Sequence, residues 1–479
     1  MKLVAHLILL FLLLPISGLG QTNDPYASSI GSWGQSFPDQ WALQQLNLDA
    51  IPATELLPVT VAVIDTGIDF LHPDLNPQNI WRNQSETLNG KDDDGNGYID
   101  DLIGWNFVNA SNNPWDHSGH GTHISGIIAA ATNNGIGIAG INPAARIMAL
   151  KVANFAGNAR SSAVAAAVYY AVDMGAKIIN LSLAGFSISQ AEREAVNYAL
   201  KRDVLVVAAA GNRATDTQGF GYGSIPGVLT VVATGRDNQR TLFSNFGVDA
   251  QIAAPGVDIL SLRAHNSDFI LLTQPENYRA GGAIVGVDNA YYRASGTSFA
   301  TAIVTGVASR LLSAQPGLNA TQLRHKLQQS ATDLDTPGVD QLTGYGLINP
   351  PAAAAWQPDR YIEARIHSAQ VAMSQAEKVV IRITGDADAD RFKQARLDIA
   401  SAAAPAQWLP LSATINRPAT NGQLADIELE RLIKLTPGNY RWILRLVSEH
   451  ADGGSRESRF LLTLPVPQDS PEMAAKEKQ

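Results

Sequence analysis

The sequence predicts an α/β fold, a doubly wound and mostly parallel sheet, followed by a smaller all-β, sandwich-like unit. Three observations carry this expectation. Between Val59 and Ala355, short runs of Val, Ile and Leu alternate with helical segments. Beyond Tyr361 the pattern changes to period-2 alternation broken by turn signals. The composition, 45% hydrophobic and 16% charged over 479 residues, is that of a folded chain with a sizeable core.

The chain opens with "MKLVAHLILLFLLLPISGLGQ". One lysine precedes an apolar run from Leu7 to Leu14, Pro15 breaks it, and Gly18 and Gly20 are the small residues before a cut at Gln21. This predicts a secretory signal peptide over 1–20, too short to span a bilayer, with a retained N-terminal anchor as the alternative. No cysteine follows the run, which excludes a lipoprotein anchor, so no membrane anchor is expected. Export makes the mature chain secreted or periplasmic.

The absence of cysteine removes every disulfide, thiolate metal site and thiol nucleophile. A large core or bound calcium is then the remaining staple. The formal charge of −9 argues against a nucleic-acid partner, which would call for a basic face.

The strands expected in order are "VTVAVID" (59–65), "RIMALKV" (146–152), "KIINLSL" (177–183), "VLVVAAA" (204–210) and "VLTVVAT" (228–234). Near-continuous apolar runs suit strands covered on both faces. Helices are expected over 161–176, ending at Gly175, and over 189–202, opening on a Ser189 cap. The site of such a fold lies beyond the carboxyl ends of its strands. A catalytic domain is thus expected over 21–357. An accessory sandwich of roughly 100 residues follows over 358–466, with strands in "KVVIRIT" (378–384), "YRWILRLV" (440–447) and "SRFLLTLPV" (458–466). The polar end, 467–479, is expected to be disordered.

Four segments bear chemistry. Asp65 ends the first strand, where a buried carboxylate needs a charged or hydrogen-bonding partner; a capping Asp is the bland alternative. "WDHSGHGTHISG" (115–126) places His117, His120 and His123 at three-residue intervals, as for a metal cluster or around one base. A zinc helix would more usually show histidines at i and i+4 with a Glu between them, and none is present. "SGTSFATAIVTGVASRLL" (295–312) sets Ser298 at a glycine-flanked entry to a helix, as nucleophile or as cap. Asn212 closes "VLVVAAAGN", as a turn residue or as an amide aimed at an oxyanion.

Taken together, "VAVIDTGID", "HGTHISG", "AAAGN" and "GTSFATA" resemble the subtilisin-like serine proteases, the subtilases, over residues 22–356, and "TNNGIGIAG" is similar to thermitase. The order Asp, His, Ser is the one the general description of this family uses. The resemblance implies a serine endopeptidase with Ser298 as nucleophile, His120 as base and Asp65 as its orienting partner. Asn212 and the Ser298 N–H would form the oxyanion hole, and Ser182, Leu183, Ala184 and Gly185 would pair with an extended peptide. His123 then becomes a buried helix residue beneath the site and His117 a loop residue.

Several positions depart from the family pattern. Ala302 and Ile303 stand where Pro and His are frequent, on the helix beyond the serine, with little effect expected on chemistry. Ala184 replaces a frequent pocket glycine and Arg213 follows Asn212, a pairing expected to narrow the pocket or favour acidic side chains. About 38 residues separate Gln21 from Val59, so the inhibitory propeptide that many secreted members of the family carry is not expected here. The long segment from Arg263 to Arg293 is expected as a lid or specificity loop.

Calcium is the cofactor expected. In "KDDDGNGYIDD" (91–101), Asp92, Asp94 and Asn96 alternate, Gly97 permits the turn, Tyr98 offers a carbonyl, and Asp100 or Asp101 completes the shell. A solvated acidic loop is the alternative; Ile103 at the twelfth position excludes an EF-hand. The resemblance implies a second site from Asp74, Asn134 and the carbonyls of Ile136 and Ile138, with Asp24 tying down the N-terminus. The competing functional class is a catalytically silent, calcium-binding adhesion or interaction protein.

Overall fold

The computed structural model of the protein describes residues 22–464, other than 49–50, 52–55, 184–186, 220, 268–282, 287–288, 405 and 436–439. The expected signal peptide, the polar tail, Ala184, Gly185 and the middle of the 263–293 segment lie outside the described residues.

Two short helices, α1 (Pro25–Ser28) and α2 (Trp41–Leu46), precede a seven-stranded sheet. Its strands are β1 (Val59–Asp65), β2 (Gly104–Asn106), β3 (Ala145–Lys151), β4 (Ile178–Leu181), β5 (Leu205–Ala209), β6 (Leu229–Thr234) and β7 (Ile252–Pro255). They run parallel throughout in the order β2-β3-β1-β4-β5-β6-β7.

Strand alternation explains the double winding. Val61 and Val63 join the core beneath α3 (His120–Ala129) and α6 (Thr297–Ala314), while Ala62 and Ile64 join the opposite core under α4 (Ser161–Asp173) and α5 (Gln190–Lys201). With two apolar faces to fill, β1 reads as a continuous apolar run. Ser189 caps α5 in a complete capping box with Glu192.

A small antiparallel sheet, β8 (Ile259–Leu262), β9 (Ile284–Val285) and β10 (Tyr291–Ala294), lies against α3. Of the segment expected to be a lid, the described residues 263–267 follow β8 as turn and coil, while the C-terminal part supplies β9 and most of β10. The helices α7 (Ala320–Gln329) and α8 (Pro350–Ala355) close this unit.

The C-terminal unit is β-rich. It holds β11 (Ile362–Met373), β12 (Val379–Ala389), β13 (Phe392–Ser401), β14 (Leu409–Pro410), β15 (Ala419–Glu428), one helix α9 (Leu429–Leu435), β16 (Arg441–His450) and β17 (Ser455–Thr463). They form two antiparallel sheets, β11-β12-β15 and β14-β13-β16-β17, around a core of residues such as Ile383, Leu397 and fully buried Trp442.

Candidate active site

The site assembles at the carboxyl end of the parallel sheet. Asp65 is the last residue of β1 and is fully buried. Its Oδ1 accepts from the Thr66 N–H at 2.7 Å and faces His120 Nδ1 at 2.8 Å; among the described residues its Oδ2 has no hydrogen-bond partner.

His120 is the first residue of α3, reached through Gly119 at φ +103°. A side-chain network missed in the sequence holds this entry. Asp116 Oδ1 accepts from the N–H groups of Ser118 and Gly119, and its Oδ2 accepts from the Thr122 N–H and hydroxyl. A first helical turn leaves N–H groups without intrahelical partners, and Asp116 takes them up. Lys151, in register with Asp65 on β3, is also buried, and its ammonium donates to the Thr66 carbonyl oxygen. The signal for both was present, a charged residue beside an apolar run, but it names no partner.

Burial works against the charged form of His120. The charge and hydrogen bond of Asp65, with Asp116 behind, outweigh it and hold the pKa above the ordinary histidine value. With Nδ1 committed to Asp65, Nε2 is the nitrogen left for proton transfer.

His123 has a different environment. It is fully buried, its Nε2 lies 2.9 Å from the Tyr292 carbonyl oxygen, and desolvation pushes its pKa down to about 3. It is a neutral packing residue. His117 is an exposed loop residue. The three histidines therefore do not converge on one point, because only His120 turns toward Asp65.

Ser298 lies in the first turn of α6, and the next residue, Phe299, packs against the rings of His120 and His123 at centroid separations of 5.7 and 4.6 Å. The Ser298 hydroxyl donates to the Ser182 carbonyl oxygen at 3.2 Å, while the Ser182 hydroxyl donates to the Ser298 carbonyl oxygen at 3.1 Å. The segment after β4 is thereby tied to the start of α6. Leu183 follows Ser182 within the described residues, whereas Ala184 and Gly185 do not.

Asn212 is brought to the same turn. Its Oδ1 accepts from the Thr297 N–H at 2.9 Å and the Thr297 hydroxyl at 2.8 Å. A backbone N–H can only donate, so the amide orientation is fixed and Nδ2 points the other way. Thr297, not singled out in the sequence, is the residue that sets it.

The candidate calcium ligands fall into two groups. Asp24 and Asp74 are both buried; Asp24 accepts from the N–H groups of Asn133 and Asn134, and Asp74 from the Asn134 amide and the Ile138 N–H. Ile136 and Gly137 complete the loop, and a Cβ at Gly137 would meet Asp74 Oδ2 at 2.2 Å. Desolvation, with Asp24 nearby, pushes the Asp74 pKa up to about 7.

In the acidic loop, carboxylate oxygens of Asp92, Asp94 and Glu86 lie within 4.8 Å of one another; Glu86 was not foreseen because it precedes the motif. Asp100 instead accepts from the N–H groups of Asn89 and Gly90. Asp101 is held by Asn83, Asn96 and Tyr170, and the Tyr98 ring packs on Trp105 and Tyr170.

Residues 58–346, well over half of the chain, match the subtilase family. The chain belongs to this family. It is 36% identical over 289 residues to a thermophilic serine proteinase of Bacillus sp. (strain AK1), covering 60% of each chain. Against thermitase of Thermoactinomyces vulgaris the identity is 32% over 320 residues, 66% of this chain and 94% of thermitase. Subtilisin E of Bacillus subtilis (strain 168) is 35% identical over 300 residues, and the match spans 65% of its length. Among solved structures, a lanthipeptide protease aligns with a TM-score of 0.51 and 25% identity, over 63% of this chain and 88% of its own. Among the described residues, no helix is long and apolar enough to cross a membrane.

Proposed function

We propose that this chain is a secreted serine endopeptidase that cleaves peptide bonds through an acyl-enzyme, using Asp65, His120 and Ser298. One observation carries the reading: His120 is held through Nδ1 by a buried carboxylate at the entry to α3, and its ring packs on Phe299, the residue after Ser298 in the first turn of α6. The Ser298 oxygen bonds to the scissile carbonyl carbon while His120 Nε2 takes its proton. The C–N bond then breaks as His120 returns that proton to the leaving amine, and water repeats the sequence on the ester. Asp65 stabilises the imidazolium. The Asn212 amide and the Ser298 N–H receive the oxyanion, and removing one such donor costs about 100- to 1000-fold in rate. Ser182 and Leu183, with Ala184 and Gly185, would hold the substrate as an added strand. The "LILLFLLLPISGLG" run and the lack of cysteine support secretion.

Calcium fits two places as a structural ion. Asp24 and Asp74, buried beside Asn134 and the Ile136 and Ile138 backbone, are hard oxygen donors, and neither has an ion-pair partner among the described residues. In the loop, Asp92 and Asp94 with Glu86 are the better set than Asp100 or Asp101, which are committed elsewhere. The ion would neutralise these carboxylates and tie down the N-terminal segment; the proteolytic steps use the chain's own groups.

Labelling with a fluorophosphonate tests the catalytic reading. The wild type is expected to label and Ser298→Ala is not; an unlabelled wild type would support the silent binding class instead. Exhaustive chelation is expected to lower the melting temperature by several degrees, restored by calcium but not by magnesium. An unchanged melt removes the calcium assignment.

A further inference from the structure

A cleft of about 620 Å³ lies between the two units, away from Ser298. One wall is the 223–227 turn, the segment around Asp249 and the start of α7; the other is the outward face of β11 and β12. Strand alternation makes that face polar. Ala364, Ile366, Ile381, Ile383 and Ala387 enter the sandwich core, which leaves Glu363, Arg365, His367, Asp386 and Asp388 facing the catalytic unit.

Part of this polar set is already paired, across the junction or within the β-rich unit. Arg365 donates to the carbonyl oxygens of Val248 and Ala250, and His367 pairs with Asp386 at 2.9 Å. The rest is not. Tyr345 donates to Glu363 Oε2, but Glu363 Oε1 is buried with no hydrogen-bond partner among the described residues, and His325 Nε2 stands 3.8 Å from it, beyond hydrogen-bond distance. Asp249 accepts one bond, from the Gly219 N–H at 3.3 Å. Arg324 has two long hydrogen-bond contacts among the described residues, both at 3.4 Å, to Gln328 and His325, and its charge also acts on Glu363. A buried carboxyl oxygen without a hydrogen bond is costly, and an interface built only for adhesion would close over it.

We propose that this cleft is a second binding site and that it takes a neutral, polyhydroxylated ligand of short-oligosaccharide size. The volume lies within the range of small-molecule sites, which often form at domain interfaces. The charge pattern selects the class. An anion would face Asp249, Glu363 and Asp388, and a cation would face Arg324 and Arg365. Hydroxyl groups both donate and accept, so they satisfy carboxyl oxygens and a guanidinium together. Burial also lifts the Glu363 and Asp249 pKa values, Asp249 to about 6, which brings both carboxyls closer to neutral. The stacked ring pair of Tyr361 and His325, centroids 4.5 Å apart, adds a flat element to the lining.

Calorimetric titration of the full chain tests this, in a Ser298→Ala background that prevents self-cleavage. The probes are cellobiose, maltose and N,N′-diacetylchitobiose, with spermidine and citrate as charged comparisons. At least one disaccharide is expected to bind with Kd below about 1 mM, and about 10-fold more weakly in Asp249→Ala and Arg324→Ala. Both substitutions remove groups with few bonds in the fold, and the melting temperature of each variant verifies folding. Binding of spermidine or citrate alone, no binding by any disaccharide, or saccharide binding indifferent to both substitutions overturns the proposal.

Discussion

His120 and His123 are three residues apart on one helix, yet their pKa values move in opposite directions. The difference lies in what each nitrogen meets: a carboxylate for His120, a backbone carbonyl oxygen for His123. A base must be neutral to take a proton, so kcat/KM is expected to rise with pH through a midpoint above the ordinary histidine value of 6.5. In Asp65→Asn the charge that favours the imidazolium is gone, so the midpoint moves down. The rate itself falls by about 10⁴-fold, because the neutral amide no longer enforces the tautomer. A pH–rate profile on a chromogenic peptide reads both quantities. A midpoint that stays in place would show that Asp65 does not set the base's pKa.

At the scale of elements, the catalytic geometry rests on how closely α3 approaches β1. A Cβ on Gly121 would lie 2.2 Å from the Gly67 carbonyl oxygen and 3.2 Å from Asp65 Cβ. Both obstacles are rigid, so Gly121→Ala is expected to push α3 off the strand end. Peptidase activity should fall at least about 100-fold, as for a misplacement on the order of 1 Å, while far-UV circular dichroism stays native. Retention of full activity would mean that the contact is not limiting.

The same elements show what was legible in the sequence. β1 coincides with "VTVAVID", and α3 begins at His120, because strand runs and glycine-flanked helix starts are local signals. β2 and the β8–β10 sheet were not legible: strands of two to four residues owe their pairing to partners outside the strand itself. Thr297, Asp116, Lys151 and Glu86 escaped for a related reason. For Thr297, Lys151 and Glu86 the roles consist of contacts across the fold or outside a motif; Asp116 bonds locally to Ser118, Gly119 and Thr122, and composition at one position does not encode which N–H groups it meets.

At the scale of the whole molecule, buried polar contacts join the two units. Val339 bonds with Glu457 and Arg459 of β17 at 2.8 and 3.0 Å, which extends the outer sheet onto the catalytic unit. Gln329 at the end of α7 exchanges hydrogen bonds with Ile362 at the start of β11. Arg365, 5% exposed, is the central fastener, since one guanidinium serves two backbone carbonyls next to β7. Arg365→Met would keep the apolar stem and leave both carbonyls unpaired, at about 1–3 kcal/mol for each buried group. Because this loss falls on the junction and not on either core, the units should uncouple before they unfold. Scanning calorimetry is expected to show a single transition in the wild type and two in Arg365→Met, the first at lower temperature. Limited digestion by an added protease should cut the variant between 355 and 362, and turnover of a short peptide should be unchanged, because the bonds that hold Asp65, Ser298 and Asn212 run to residues of the catalytic unit. A single, unshifted transition would place the coupling in the Val339 and Gln329 contacts instead.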